Sequence, residues 1–304
     1  MVPIIESSVA VIHAFADASY DRSSFHLAGA ANLVAHVGTA LATSALKSLR
    51  DVNRTREDLH NSKKDKSTAH PNVGLVDHVS IMPLLLPTSG ARSLLVKDAT
   101  VDEQCQREAS GQAARQVGSA MSNLGCVVYY YGSACPDNMP LAQVRKERTN
   151  FFRSGGLSPS NGDESQSVDF RYGTSCVGSP ENFAENFNIR LSSGGKKAAM
   201  SLCRILRERD GGLKGVEALT LPYQHEKFEV ACNLLAPDLG SRDAIRLKTN
   251  DWARQYNLDE EASIEAMYGV GTTQDECLNV LRLTPESINR HDDLVARRFL
   301  AYLS

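Results

Sequence analysis

Apolar, β-branched runs alternate with helix-patterned stretches in both halves of the chain, and this alternation limits the possible folds more than any other feature. The clearest helix covers Gly29 to Leu49, where Leu33, Val37, Leu41, Ala45 and Leu49 recur every four residues and Val34 and Leu46 widen the stripe. Such a stripe needs a sheet or a second helix to cover it. The stretch from Val73 to Leu86 is apolar and β-branched, which predicts a buried strand ending near Pro83. Thr100-Val-Asp-Glu103 is a capping-box pattern, opening a helix toward Leu124 with Gly125 placed for a C-terminal cap. Residues 126–131 predict a strand. In the second half, 187–191, 215–221 and 228–235 have strand character, and 195–209 and 243–256 have helix character. A second capping box, Thr273-Gln-Asp-Glu276, opens a final helical region broken near Pro285.

The run SGGLSPSNGDESQS between Ser154 and Ser167 has the composition of a linker, and it divides the chain into 1–155 and 165–304. The expected fold class is therefore α/β (α+β), with two subdomains, each a helix-covered mixed β-sheet. At 304 residues, 42% hydrophobic and 23% charged, the chain is long and apolar enough for a sizeable core. A net charge of −3 gives no electrostatic footprint for nucleic acid, so a small molecule is the better partner. Arg50 to Ala69 mixes both signs of charge with few apolar residues, and is expected to be a solvated loop. No apolar run approaches the roughly 18 residues of a membrane span. The opening MVPIIESSVAVIHAF has no basic region ahead of its apolar stretch, so a cytoplasmic location is expected, with an organelle interior as the alternative. The seven cysteines are odd in number and widely spaced, unlike a disulfide framework or a zinc site, and are expected to be reduced and mostly buried.

The common catalytic signatures are missing: there is no GxGxxG after a strand, no Walker loop, no HExxH and no GxSxG. What remains is polar residues in apolar or glycine-containing surroundings. His70 precedes Pro71-Asn-Val-Gly74 at a loop-to-strand junction, where an imidazole could transfer protons near neutral pH or could simply be a loop histidine. Asp17 and Arg22 follow a short apolar strand and could grip a polar ligand or pair locally. Asp77 and His78 are adjacent on a strand and face opposite sides, which argues against a shared metal. Tyr129, Tyr130 and Tyr131 likewise alternate faces, giving core and edge positions instead of a stacking platform.

Read in order, several segments resemble the formiminotransferases, the transferase part of formiminotransferase-cyclodeaminase. HPNVGLVDHVSIMPLL is similar to the family's HPR-x-G-x-x-D segment, and FADASYDR to its strand-end Asp followed by an Arg-containing turn. TVDEQC and VVYYYGSA resemble a VDE-C helix start and a VYLYGEAA strand. YGTSCVGSPENFAENFNIRL is similar to WGATATG…FNINL, and LKGVEALTL with FEVACNLL to the strands LKKVQGIG and VSTNLL. The resemblance extends from about residue 10 to about residue 250 and looks most like the stand-alone formiminotransferase-like proteins of plants and algae.

The resemblance implies a ligand groove between the two subdomains, a homodimer, and transfer of a formimino group from formiminoglutamate to tetrahydrofolate as co-substrate, within one-carbon metabolism and histidine catabolism. The transfer chemistry requires no metal, and the charge balance and the lack of a long apolar run argue against nucleic-acid and membrane partners. His70 matches the family's catalytic histidine and would act as general acid/base. Asp17 would orient the imidazolium, and Arg22 would suit a carboxylate of glutamate or of the folate tail. Asn72, Phe170, Arg171, Tyr172 and Gly173 fall on folate- or substrate-contacting positions, with Tyr172 where the family has a Trp. Two departures bear on activity. Asn72 replaces the arginine of HPR and removes a fixed positive charge. The family's opening VPNFSEG strand and first helix have no counterpart ahead of Asp17. A non-catalytic folate-binding or interaction homologue is the alternative that these departures favour.

Overall fold

A computed structural model describes residues 9–59, 71–85, 103–149, 151, 172–224, 226–256, 263–283 and 285–303. It is an α/β fold with parallel and antiparallel sheets, and the described residues divide into two compact units. One unit lies within 27–67 and 71–181, together with Val9 and Ala10; the other lies within 11–26 and 182–304.

In the first unit, β3 (His78–Ser80), β4 (Val127–Gly132) and β5 (Thr174–Ser179) form a parallel sheet in the order β3-β5-β4. Two helices, α1 (Ala31–Leu59) and α2 (Glu103–Asn123), pack their apolar sides together with the sheet. Ala35, Ala42 and Leu46 of α1 meet Ala113, Ala114, Val117 and Met121 of α2, with Val177 from β5 below them. The opposite face of the sheet, carrying Tyr131 and Cys176, is covered by Val144 of α3 (Leu141–Arg148) and by Phe151. Gly125 ends α2 as expected: its φ is +96°, its N–H donates to Ser122 O at 2.8 Å, and Cys126 N–H donates to Met121 O at 3.2 Å.

The second unit is built on an antiparallel sheet of β6 (Glu185–Leu191), β7 (Val216–Pro222), β8 (Phe228–Leu234) and β9 (Ile264–Val270), in the order β7-β8-β6-β9. Phe187, Ile189 and Leu191 alternate on one face with Val230, Cys232 and Leu234, and α4 (Gly195–Leu206) and α5 (Arg242–Tyr256) close over them. At roughly 25 cal/mol per Å² of apolar area, burying such side chains contributes about 1.5 to 3 kcal/mol each, which makes this face the main stabiliser of the unit. A hairpin of β1 (Val9–Asp17) and β2 (Arg22–Gly29) supplies residues 11–26 to this unit. It is tied to α7 (Pro285–Leu303) by Val11 N–H to Asp292 Oδ1 at 2.9 Å and by the Phe25–Phe299 ring pair. Thr273 caps α6 (Gln274–Leu281) in the expected capping box.

Several expectations are corrected. Helix α1 runs on to Leu59, ten residues into the stretch expected to be a solvated loop; 50–59 contains no Gly or Pro, and its Arg, Glu and Leu are good helix formers. Its buried side is led by Ala35, Ala42 and Leu46, while Val37 and Leu49 of the expected stripe are 37% and 42% exposed. Small residues win that face because α2 also offers alanines and the helices approach closely. The strand expected over residues 73–86 is confined to His78–Ser80, because Val73–Asp77 is held in a turn by its own aspartate. Strand β5 lies on the far side of the expected 156–164 division and is nevertheless the middle strand of the first sheet, so the compact units separate between Glu181 and Asn182. The Thr100 capping position lies outside the described residues. No helix among the described residues is long and apolar enough to cross a membrane. Six cysteines are buried and Cys105 is exposed.

Candidate functional site

The loop that follows position 70 is fixed from below. Asp77 Oδ1 accepts the Val73 N–H at 2.7 Å, and its Oδ2 pairs with Arg145 of α3 at 3.2 Å. Arg145 in turn lies over the Phe151 ring at 4.1 Å, so the carboxylate is gripped by a guanidinium that is itself packed. From this turn Val73 O accepts the Thr174 N–H at 3.2 Å, and Gly74 bridges Gly173. A side chain on Gly74 would run into the Thr174 backbone, which explains a glycine there. Two segments singled out in the sequence, Asn72–Gly74 and Tyr172–Gly173, are thereby brought side by side. Asn72 is exposed at the rim of this loop. Tyr172 is only 7% exposed; its hydroxyl accepts from Arg50 at 3.2 Å, and the guanidinium lies 5.3 Å from the ring centroid. Gly173, at φ +72°, presents its carbonyl to the Val127 N–H at 3.0 Å.

His78 and Tyr131 meet beneath the same loop: His78 Nε2 lies 2.9 Å from the Tyr131 hydroxyl, which donates to Ser80 Oγ at 2.8 Å. Burial pushes the Tyr131 phenol well above its ordinary value, so it stays protonated and serves as a donor. This is the satisfied polar role expected for His78. Among the described residues no cluster of three or more His, Cys, Asp or Glu could hold a metal ion.

Asp17 and Arg22 flank one turn of the β1–β2 hairpin. Asp17 Oδ1 accepts the N–H groups of Ser19 at 2.8 Å and Tyr20 at 3.3 Å, an Asx turn that lets Asp21 adopt φ +50°. No described residue hydrogen-bonds Asp17 Oδ2. Arg22 is half-buried at the start of β2.

The second unit also contains a polar cluster that the sequence reasoning missed. Glu229 of β8 is fully buried, and four side chains satisfy it. Its Oε2 accepts from the Tyr20 hydroxyl at 2.6 Å and from Asn188 Nδ2 at 3.1 Å. Its Oε1 accepts from the Arg190 guanidinium, at 2.8 Å from Nε, and from the Tyr268 hydroxyl. Arg190 lies 3.8 Å from the Tyr223 ring centroid, and Tyr223 packs edge-on against Tyr20. Burial, then the Glu229 hydrogen bond and charge, push the Tyr20 and Tyr268 phenols up; both remain donors at any physiological pH. Burial opposes the Arg190 charge, but the bond to Glu229 outweighs it and raises its pKa. The signal for this cluster was present in the sequence: Asn186, Asn188 and Arg190 alternate with Phe187, Ile189 and Leu191, and Glu229, Ala231 and Asn233 alternate with Val230, Cys232 and Leu234. Paired strands with a second, polar face must satisfy that face somewhere.

Of the other residues expected in the site, His70, Phe170 and Arg171 lie outside the described residues.

A parallel-sheet unit whose loop is held by the Asp77–Arg145 pair, and an antiparallel-sheet unit with a polar second face, define an α/β protein. Residues 4–180 match the formiminotransferase domain, N-terminal subdomain, and the chain belongs to that family. The match ends at Pro180, one residue before the first unit does. A formiminotransferase cyclodeaminase-like protein of Arabidopsis thaliana is 26% identical over 252 residues, spanning 78% of this chain and 75% of that protein.

Proposed function

We propose that this chain is a folate-dependent one-carbon transferase that moves the formimino group of formiminoglutamate to tetrahydrofolate, with His70 as general acid/base. The observation that carries this reading is the family match over residues 4–180, which includes the HPNVG and FADASYDR segments. The pterin amine adds to the formimino carbon, and the imidazole takes the proton released as the tetrahedral adduct forms. The same proton then goes to the glutamate nitrogen, which leaves as the carbon–nitrogen bond to it breaks. Asp17 stabilises the transient imidazolium, and Arg22 receives a substrate carboxylate. Asn72, Phe170, Arg171 and Gly173 contribute to the folate side, and Tyr172, buried against Arg50, acts by shaping that loop. Tetrahydrofolate serves as co-substrate, no metal takes part, and the working form is a cytoplasmic homodimer.

His70→Ala tests the reading directly. It is expected to fold, to bind tetrahydrofolate and to lose transfer; full turnover by this variant would remove His70 from the mechanism. A second reading, a folate-binding homologue without transfer, is favoured by Asn72, which lacks the charge of the family's arginine at that position. Folate binding without turnover by the wild-type chain would select it.

A further inference from the structure

The geometry points to Glu229 as a positioning residue: through the Tyr20 hydroxyl it fixes the turn that presents the second carboxylate oxygen of Asp17 to the reaction. This rests on the reading that Asp17 supports a catalytic imidazolium. Three observations converge on it. Asp17 spends Oδ1 on the backbone of its own turn, at Ser19 and Tyr20, and no described residue hydrogen-bonds Oδ2. The turn is short and contains Asp21 at positive φ, and a contact from outside can fix it beyond what its own Asx hydrogen bonds do. Tyr20 supplies such a contact: it is the buried residue of the turn, and its hydroxyl reaches a carboxylate 209 residues away in sequence at 2.6 Å.

The carboxylate itself cannot move. Glu229 is held by Asn188, Arg190 and Tyr268 as well as by Tyr20, and Arg190 is stacked on Tyr223. With all four contacts made, Glu229 has no capacity left for a substrate atom, which makes an indirect role the consistent one. A charge-assisted bond to a fixed acceptor is also far more directional than apolar packing, and that is what holding a carboxylate oxygen to within a fraction of an ångström requires.

Tyr20→Phe removes one oxygen and retains the packing, so it tests the role with little threat to folding; Glu229→Gln, which leaves Arg190 without its counter-charge, is the harsher companion. In the full chain Tyr20→Phe is expected to lower kcat for formimino transfer about tenfold, the order expected for one lost hydrogen bond to a charged group, with KM for both substrates unchanged. In the Asp17→Asn background the same substitution is expected to cost nothing further, because its effect passes through Asp17. Amide exchange at Ser19 and Tyr20 is expected to speed up about tenfold in Tyr20→Phe. Full kcat in Tyr20→Phe, or additive losses in the double variant, would overturn the positioning role while leaving the transferase reading in place. If the wild-type chain transfers nothing, the transferase reading itself falls, and the exchange rates alone then decide whether Tyr20 anchors the turn; unchanged rates overturn the anchor.

Discussion

Replacing Asp77 by Ala tests whether the loop after His70 is held in the way its geometry indicates. Among the described residues the carboxylate bonds Val73 N–H at 2.7 Å and Arg145 at 3.2 Å, and both charged side chains are 13% exposed. A hydrogen bond to a charged group is worth about 1.5 to 3 kcal/mol, and breaking a buried pair costs about 3 to 5 kcal/mol. The two bonds share one carboxylate and their costs do not add, so the expected loss is about 3 kcal/mol. Asp77→Asn keeps an acceptor for Val73 but sets an amide against Arg145, and should lose about 2 kcal/mol. Urea unfolding followed by far-UV circular dichroism measures the total. Fluorescence of Trp252, the only tryptophan, reports on the second unit and serves as a control. Hydrogen exchange localises the effect: a loss of about 3 kcal/mol at the loop corresponds to roughly 100-fold faster exchange of the Val73 amide. Because His70 precedes Val73 by three residues, transfer should also fall by more than the folded fraction does. A stability change below about 1 kcal/mol with unaltered Val73 exchange would refute the assignment of Asp77 as the anchor of this loop.

Other outcomes follow from the same structure. Asn72→Arg, which restores a cation at the exposed rim of the loop, is expected to tighten binding of formiminoglutamate about tenfold, and titration calorimetry showing no change would mean that the missing charge is not what limits this site. His26 is pushed down to about 4, first by burial and then by His13 beside it, with Glu276 opposing. Its folded pKa lies below the unfolded value of about 6.5, so the unfolded chain binds the extra proton between those values and stability falls as the pH drops through that window. The loss should reach roughly 2 to 3 kcal/mol by pH 4, and His26→Phe should flatten most of it; His13, also lowered by burial, leaves a residual slope. An equally steep profile in the variant would assign the acid sensitivity elsewhere.

Local patterns were legible where one residue type decides the geometry. Gly125 predicts the end of α2, and the Thr273–Glu276 capping box predicts the start of α6. The alternation in 187–191 and 228–235 predicts two strands of the second sheet. Strand β5 was not legible, because Thr174-Ser-Cys-Val-Gly-Ser has small residues where a central strand usually carries branched ones. Those small residues are required by packing: a side chain on Gly178 would run into the Tyr131 carbonyl and ring. Strands β2 and β9 went unread for a related reason, since Arg22–Gly29 and Ile264–Val270 carry half-buried and exposed residues with no continuous apolar face. Asp17 stands out in the sequence by type and neighbourhood, and Asn72 and Gly173 by the family resemblance. The alternation shows the polar face that carries Glu229 but not its convergence, since its partners come from the hairpin, β6 and β9 and meet only on folding.

The central claim is tested most directly by titrating the purified chain with tetrahydrofolate, with and without formiminoglutamate, and following formimino transfer in the same samples. The account predicts micromolar folate binding and transfer that is lost in His70→Ala. Absence of both binding and transfer would contradict it.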